Sequence, residues 1–245
     1  MSPQTSAPKL TGVADICFLI DATGSMQPCI DNIKANLRTF INTLLSPSAN
    51  GGVLLKDWRA CVWGYRDYIY DDRQQRLVRN PFTSDPLELE NQLQSLKASG
   101  GGPAIEESLL DALFELSQIG YTGPQEAPQN NMWRYSSAAA RCIVVISDAP
   151  FHTTMEIVEN GDINTMLPLL EQERFRITIY APDHACYNAL ACGSKIVFDP
   201  VYVHENESPV EALRNFTSNP QVFRKTLETL AKSVSQSSAI DTQLL

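Results

Sequence analysis

Basic residues are in deficit in this sequence: 19 Lys and Arg residues stand against 28 Asp and Glu residues, which gives a formal net charge of −9. Proteins that bind nucleic acid contact its phosphates through clustered Lys and Arg side chains. The acidic balance therefore argues against nucleic acid as a partner. It is compatible with the binding of a cation, although acidic surfaces also serve solubility alone.

Long apolar runs and cysteines are scarce as well. No apolar segment approaches the ~20 residues that span a bilayer, and the N-terminal residues lack the hydrophobic stretch of a secretion signal. Of six cysteines, Cys17, Cys61 and Cys142 fall inside apolar runs, where a thiol packs as a small hydrophobic group. We therefore expect a cytoplasmic protein with reduced thiols and no membrane partner.

Short apolar runs alternate with segments of helical periodicity along the chain, which is the pattern of βαβ units. Strands are predicted at residues 15–21, 58–65, 77–82, 141–148, 175–180 and 195–198, and helices at residues 25–45, 86–97, 105–119, 162–173, 184–191 and 220–234. The alternation predicts an α/β fold, doubly wound, with a mostly parallel central sheet, helices on both faces and one short antiparallel edge strand. We expect one domain over residues 14–235, a flexible leader at 1–13 and a flexible tail at 236–245.

Three oxygen-bearing residues follow the first apolar run in a single turn. Asp21 ends the run, and Thr23 and Ser25 follow at alternate positions around a glycine. Open α/β sheets place ligand sites at the carboxyl ends of their strands. A carboxylate with two hydroxyls suits a hard dication such as Mg²⁺, for which Mn²⁺ or Ca²⁺ could substitute. The alternative is that Asp21 or Thr23 only caps the next helix.

A second apolar run ends in the same way, at Ser147 and Asp148. If the two strands are neighbours in a parallel sheet, Asp148 lies at the same edge as Asp21 and adds a second carboxylate. Two carboxylates would balance a dication and leave water or an open position in its shell. The alternative for Asp148 is a turn or cap residue ahead of Pro150.

The Asp21-x-Thr23-x-Ser25 motif resembles the metal-ion-dependent adhesion site of von Willebrand factor A-type (vWA) domains. Four further motifs occur in the same order as in vWA domains with an Asp-x-Thr-Gly-Ser-Met site, such as those of alpha-kinase proteins: Gly64-Tyr65-Arg66-Asp67-Tyr68, Gly100-Gly101-Gly102 with Glu106 downstream, Trp133-Arg134, and Ser147-Asp148-Ala149-Pro150-Phe151-His152. The resemblance covers roughly residues 14–200 and implies a Rossmann-like fold.

One position departs from the family pattern. The loop after the glycines normally supplies a third metal contact from Thr or Asp, whereas here Pro103 stands near that position and has no side-chain oxygen. Glu106 or Asp67 could substitute for it, and either could equally be a surface residue.

The resemblance implies an adaptor that recognises a partner protein through a bound cation and performs no chemistry of its own. The partner would present an acidic residue to the metal; AAA+ ATPases, kinases and other effectors are the partner types that the family suggests. The alternative is a metal-dependent phosphate-ester hydrolase with Asp21 as nucleophile. Phosphatases that begin in this way carry a second Asp two residues later, where this chain has Thr23, so we favour the binding module.

Overall fold

The computed structural model describes residues 12–35, 57–219 and 221. Within these residues the strands are β1 (Val13–Asp21), β2 (Asp57–Tyr65), β3 (Leu77–Val78), β4 (Ala140–Ile146), β5 (Arg176–Pro182) and β6 (Ile196–Val201). The helices are α1 (27–35), α2 (Pro86–Ser95), α3 (Leu109–Ser117), α4 (Ile163–Gln172), α5 (Ala185–Leu190) and α6 (Pro209–Ser218). A short 3₁₀ turn, Gly24–Met26, joins β1 to α1.

The strands form one sheet in the order β3-β2-β1-β4-β5-β6. All neighbouring strands pair in parallel except β3, which pairs antiparallel with β2. The chain moves outward from β1 in one direction through β2 and in the other through β4, so the boundary between β1 and β4 is the topological switch point. The doubly wound, mostly parallel α/β fold predicted from the sequence is confirmed.

Both faces of the sheet are covered, because β1 buries alternate side chains on opposite sides. Ile16 and Phe18 pack with residues of α1, α2 and α6, whereas Cys17 and Leu19 pack with residues of α3, α4 and α5. This double burial explains why β1 appears in the sequence as one unbroken apolar run. The six cysteines are all free thiols.

Three elements differ from the sequence prediction. The edge strand β3 has two residues rather than six, and α3 begins at Leu109 rather than near residue 105. Helix α6 was not predicted, although its start carries a capping box of Ser208 and Glu211 with a proline in the first turn. The predicted leader and tail, the helix at 220–234 and the second half of the helix at 25–45 lie almost entirely outside the described residues.

Among the described helices, none combines the length and the apolar character that crossing a membrane requires.

The amino-terminal edge of the sheet is held by a buried ion network around Asp15 of β1. Arg59 donates to its carboxylate at 3.0 and 2.6 Å, and Arg134 donates through its backbone N–H and its side chain at 2.7 Å each. Trp133, the neighbour of Arg134, is buried between the rings of Phe82 and Phe175. The long loop before β4 is thereby fixed to the sheet, so the role of Trp133 and Arg134 in this chain is structural.

Replacing Asp15 with Asn should destabilise the fold, because buried Arg59 loses its carboxylate partner and buried Arg134 keeps only the exposed Asp57. We expect a loss of about 3–5 kcal/mol in the free energy of unfolding, measured by urea denaturation. Asp57 also pairs with Arg134, but its side chain is 57% exposed. Asp57→Asn is therefore the control and should cost less than about 1 kcal/mol. Equal losses in the two variants would contradict this account of the network.

Candidate metal centre at the carboxyl edge of the sheet

Asp21, the last residue of β1, is fully buried and both of its carboxylate oxygens accept hydrogen bonds. Oδ1 accepts from the backbone N–H of Thr23 at 2.9 Å and from its hydroxyl at 2.6 Å. Oδ2 accepts from the hydroxyl of Ser147, just after β4, at 2.8 Å. The structure thus brings Asp21 and Thr23 together with the loop that follows the neighbouring strand.

The other two predicted ligands lie at the same place. The Ser25 hydroxyl is 3.5 Å from the Thr23 hydroxyl and is exposed to solvent. Asp148 is 7% exposed, and its Oδ1 is buried without a hydrogen-bond partner among the described residues. A buried carboxylate oxygen without a partner is costly, since it has lost its water without gaining a donor.

The carboxylates at this edge disfavour one another's charge. Burial and the nearby charge of Asp148 raise the pKa of Asp21 to about 7, although hydrogen bonds from Thr23 and Ser147 act in the opposite direction. Burial also raises the pKa of Asp148, and the Ser25 hydroxyl offsets part of that increase. The site therefore gathers carboxyl groups in a poorly solvated environment that disfavours their ionised forms.

Glu107 joins this group, whereas the sequence pattern indicated its neighbour Glu106. Glu107 is buried, and its Oε2 has no hydrogen-bond partner among the described residues. Burial, followed by the charges of Asp21 and Asp67, raises the pKa of Glu107 to about 9. Its backbone N–H donates to Pro150 at 2.9 Å, and its carbonyl accepts from His152 at 3.0 Å. This backbone bridge to the loop after β4 brings Glu107 beside the other carboxylates.

Glu106 lies on the other side of the same backbone and lines a pocket of ≈ 350 Å³ together with His152, His184 and Cys186. The two adjacent glutamates differ in position because the bridge at residue 107 fixes which side chain faces the carboxylate group. No periodicity in the sequence indicates that choice, since residues 105–108 precede α3 and follow no regular repeat.

Asp67 reaches the same region, but its oxygens already have partners. Oδ1 accepts from the Ile69 backbone N–H at 2.7 Å and from the Ser108 hydroxyl at 3.4 Å. Oδ2 lies 3.3 Å from Nε2 of His152. Asp67 therefore links its own loop to Ser108 and to His152. Its oxygens are less available to a metal than Oδ1 of Asp148, which has no hydrogen-bond partner among the described residues.

The glycine loop closes over this group. Gly100 has a φ of 70°, and a Cβ there would collide with the carboxylate of Asp71, which accepts from the Gly101 N–H at 3.0 Å. Gly101 lies between Thr23 and Glu107. A side chain at either glycine would push the loop away from the carboxylates. Pro103 is exposed and offers no oxygen from its side chain, as the sequence indicated.

The candidate ligands are two carboxylates and two hydroxyls, and such oxygen donors are the type that a hard dication prefers. No group of three or more His, Cys, Asp and Glu side chains in the described part of the chain is arranged to hold a metal ion. The predicted shell needs only two such residues, Asp21 and Asp148, with the hydroxyls of Thr23 and Ser25 as neutral ligands. The unpartnered oxygen of Asp148 is the kind of atom that a cation would satisfy.

No protein-family model matches the sequence, and no curated protein matches it significantly. Two structures of proximal thread matrix protein 1 from the mussel byssus, one of them titled crystal form 2, are similar in structure. One has a TM-score of 0.51 at 11% identity over 89% of this chain, the other 0.50 at 10% identity over 87%.

The fold is of the vWA type. This chain spans about half the length of the mussel protein, with 47% and 49% of that protein covered. At this level of identity the likeness shows the fold alone.

In the metal-free protein, Asp148→Asn should raise the melting temperature at pH 8, because it removes a charge that disfavours ionised Asp21. We expect about 2–4 °C for each kcal/mol of repulsion relieved, measured by calorimetry in EDTA. Glu205→Gln removes one negative charge from an exposed site elsewhere and is the matched control. A melting temperature for Asp148→Asn at or below that of the control would contradict the proposed repulsion.

Proposed function

We propose that this chain is an intracellular, cytoplasmic interaction module that binds a divalent cation through Asp21, Thr23, Ser25 and Asp148. The cation would be Mg²⁺, with Mn²⁺ or Ca²⁺ as alternatives, and it would dock an acidic residue of a partner protein. The observation that carries the proposal is the buried, unpartnered Asp148 oxygen beside the fully buried Asp21. Among the described residues, neither aspartate forms an ion pair with Lys or Arg.

The charges explain why docking would depend on the cation. Without metal, ionised Asp21 and Asp148 repel any further acidic group, whereas Glu107, with its pKa raised to about 9, stays neutral at pH 7. A dication bound to two carboxylates makes a nearly neutral centre that can accept a third one from outside. The exposed Ser25 hydroxyl lies on the solvent side of the group, so a partner would approach from there.

The loops around the centre carry apolar side chains that a partner could cover. Ile69 and Tyr70 are 45% and 51% exposed, and Ile105 is 70% exposed. The Tyr70 ring lies against Gly102 of the glycine loop. Exposed apolar residues beside a polar centre are typical of protein-binding surfaces. They favour a protein partner over a small molecule as the ligand of this edge.

The vWA fold agrees with this role, because the resemblance noted in the sequence implies interaction rather than catalysis. Within that resemblance, an AAA+ ATPase, a kinase or another effector is the proposed partner, and the chain is the adaptor. The hydrolase alternative is less favoured, because Thr23 stands where such phosphatases carry a second Asp and its hydroxyl donates to Asp21.

Mg²⁺ should stabilise the folded chain, because a ligand that binds only the native state raises the melting temperature. At a concentration 100 times Kd we expect a rise of roughly 5–10 °C for a chain of this size. Asp148→Asn should lose this rise, and Glu205→Gln should keep it. An equal Mg²⁺ response in wild type and Asp148→Asn would remove the proposed metal centre.

The hydrolase alternative has its own test. Hydrolysis of p-nitrophenyl phosphate that Asp21→Asn abolishes would establish the enzyme instead.

Partner capture should require both the cation and the apolar rim. We expect a pull-down from the native host, analysed by mass spectrometry, to recover a protein in Mg²⁺ that is lost in EDTA and in Asp148→Asn. Tyr70→Ser should weaken capture without changing the Mg²⁺-induced rise in melting temperature, because Tyr70 is no proposed ligand. Capture that persists in EDTA would show that the partner does not dock through a metal.

A further inference from the structure

A pocket of ≈ 350 Å³ lies at the same edge of the sheet as the carboxylates. One wall is the loop after β4, another is the start of α5, which follows β5, and the third is Glu106 ahead of α3. Because β4 and β5 are parallel neighbours, the segments that follow them lie at one edge. Pro150 in the pocket wall comes two residues after Asp148, so at most about 7 Å of chain separates them. The pocket and the candidate metal centre are therefore adjacent.

The walls of this pocket are joined to one another. The backbone carbonyl of Glu107 accepts from the His152 N–H at 3.0 Å, and the Tyr187 hydroxyl of α5 donates to the Ala149 carbonyl at 2.6 Å. The His152 ring is held in turn, since its Nε2 lies 3.3 Å from Oδ2 of Asp67. A pocket whose walls are already linked needs little further ordering when a ligand enters, which favours binding.

The charge of the pocket is negative and unbalanced. Its described lining contains one carboxylate, that of Glu106, and neither Lys nor Arg. No ion pair in the described part of the chain involves this carboxylate. Burial raises the pKa of the Cys186 thiol and the charge of Glu106 adds to the increase, whereas backbone hydrogen bonds oppose it. The carboxylate of Glu106 therefore lies close to α5, and it favours a positively charged occupant.

Further hydrogen-bond acceptors line the pocket beside this charge. His184 precedes α5 as its N-cap residue, yet its side chain makes no capping bond and its Nε2 is buried without a partner among the described residues. The side chains of Thr153 and Thr154 also line the pocket. Hydroxyl oxygens accept hydrogen bonds, and Nε2 accepts one when the ring proton is on Nδ1. The planar guanidinium of arginine, with five N–H donors, suits a carboxylate flanked by several acceptors better than the ammonium of lysine does.

We propose that this pocket takes an arginine side chain of the partner protein, from the same segment that presents an acidic residue to the cation. The inference rests on the proposed function and specifies the partner's docking segment. An extended chain advances about 3.3–3.6 Å per residue, so an arginine two or three residues from the acidic residue can reach the pocket. The acidic residue of the partner then depends on the cation, and the arginine depends on Glu106.

A single amino-acid amide tests the pocket without the metal centre. Nα-acetyl-arginine amide, titrated into the isotope-labelled full chain in metal-free buffer, should shift the NMR amide signals of residues 152–154 and 184–186. Nα-acetyl-citrulline amide has nearly the same shape and no charge, so it should bind about tenfold more weakly. Glu106→Gln should remove this difference, and the control Glu205→Gln should keep it. Equal affinities of the two amides for the wild type would overturn the proposal.

Two short peptides, Ac-Arg-Ala-Ala-Glu-NH₂ and the reversed Ac-Glu-Ala-Ala-Arg-NH₂, test whether the pocket and the metal centre act together. In Mg²⁺, the better of the two should bind about tenfold more tightly than its citrulline counterpart in isothermal titration calorimetry. Glu106→Gln should again remove the difference. An arginine that binds as the single amide but adds nothing in either peptide would assign the pocket to a free cationic molecule and overturn the proposal.

The two experiments separate this inference from the proposed function. If the metal centre is wrong, Mg²⁺ does not change peptide binding, whereas the arginine amide still binds the metal-free chain and depends on Glu106. If only the pocket is wrong, Mg²⁺ still strengthens peptide binding, and replacing arginine by citrulline has no effect.

Discussion

The carboxylate of Asp21 is the constraint on which the organisation of the site depends. A single strand, β1, buries two aspartates completely, and the groups around the two carboxylates have opposite character. Asp15 at the amino end has two arginines within 3.0 Å. Asp21 at the carboxyl end has hydroxyl donors and further carboxylates around it. A buried charge without a counter-charge is strongly unfavourable, so the second arrangement is suited to an external cation, whereas the first is complete in itself.

The surrounding loops hold this unfavourable group of carboxylates in place. Asp67 ties its own loop to Ser108 and His152, Asp71 holds the glycine loop, and the backbone of Glu107 is bonded to the loop after β4. Each contact joins segments that are distant in sequence, and together they keep the carboxylates close although these repel one another. Rigidity of this kind lowers the cost of organising a metal shell, since the ligands need little further ordering.

The sequence predicted the parts of this arrangement that follow from strand ends. Asp21 ends the buried strand β1 and Asp148 follows the buried strand β4 by two residues, and parallel neighbours bring such ends to one edge. The choice of Glu107 over Glu106 could not be predicted, because it depends on a backbone bridge between residues 107 and 151. Helix α6 was predictable in principle, since the box of Ser208 and Glu211 is a local signal. The predicted start of α3 near residue 105 is wrong, because the backbone of Glu107 bonds to Pro150 and His152 and not within a helix.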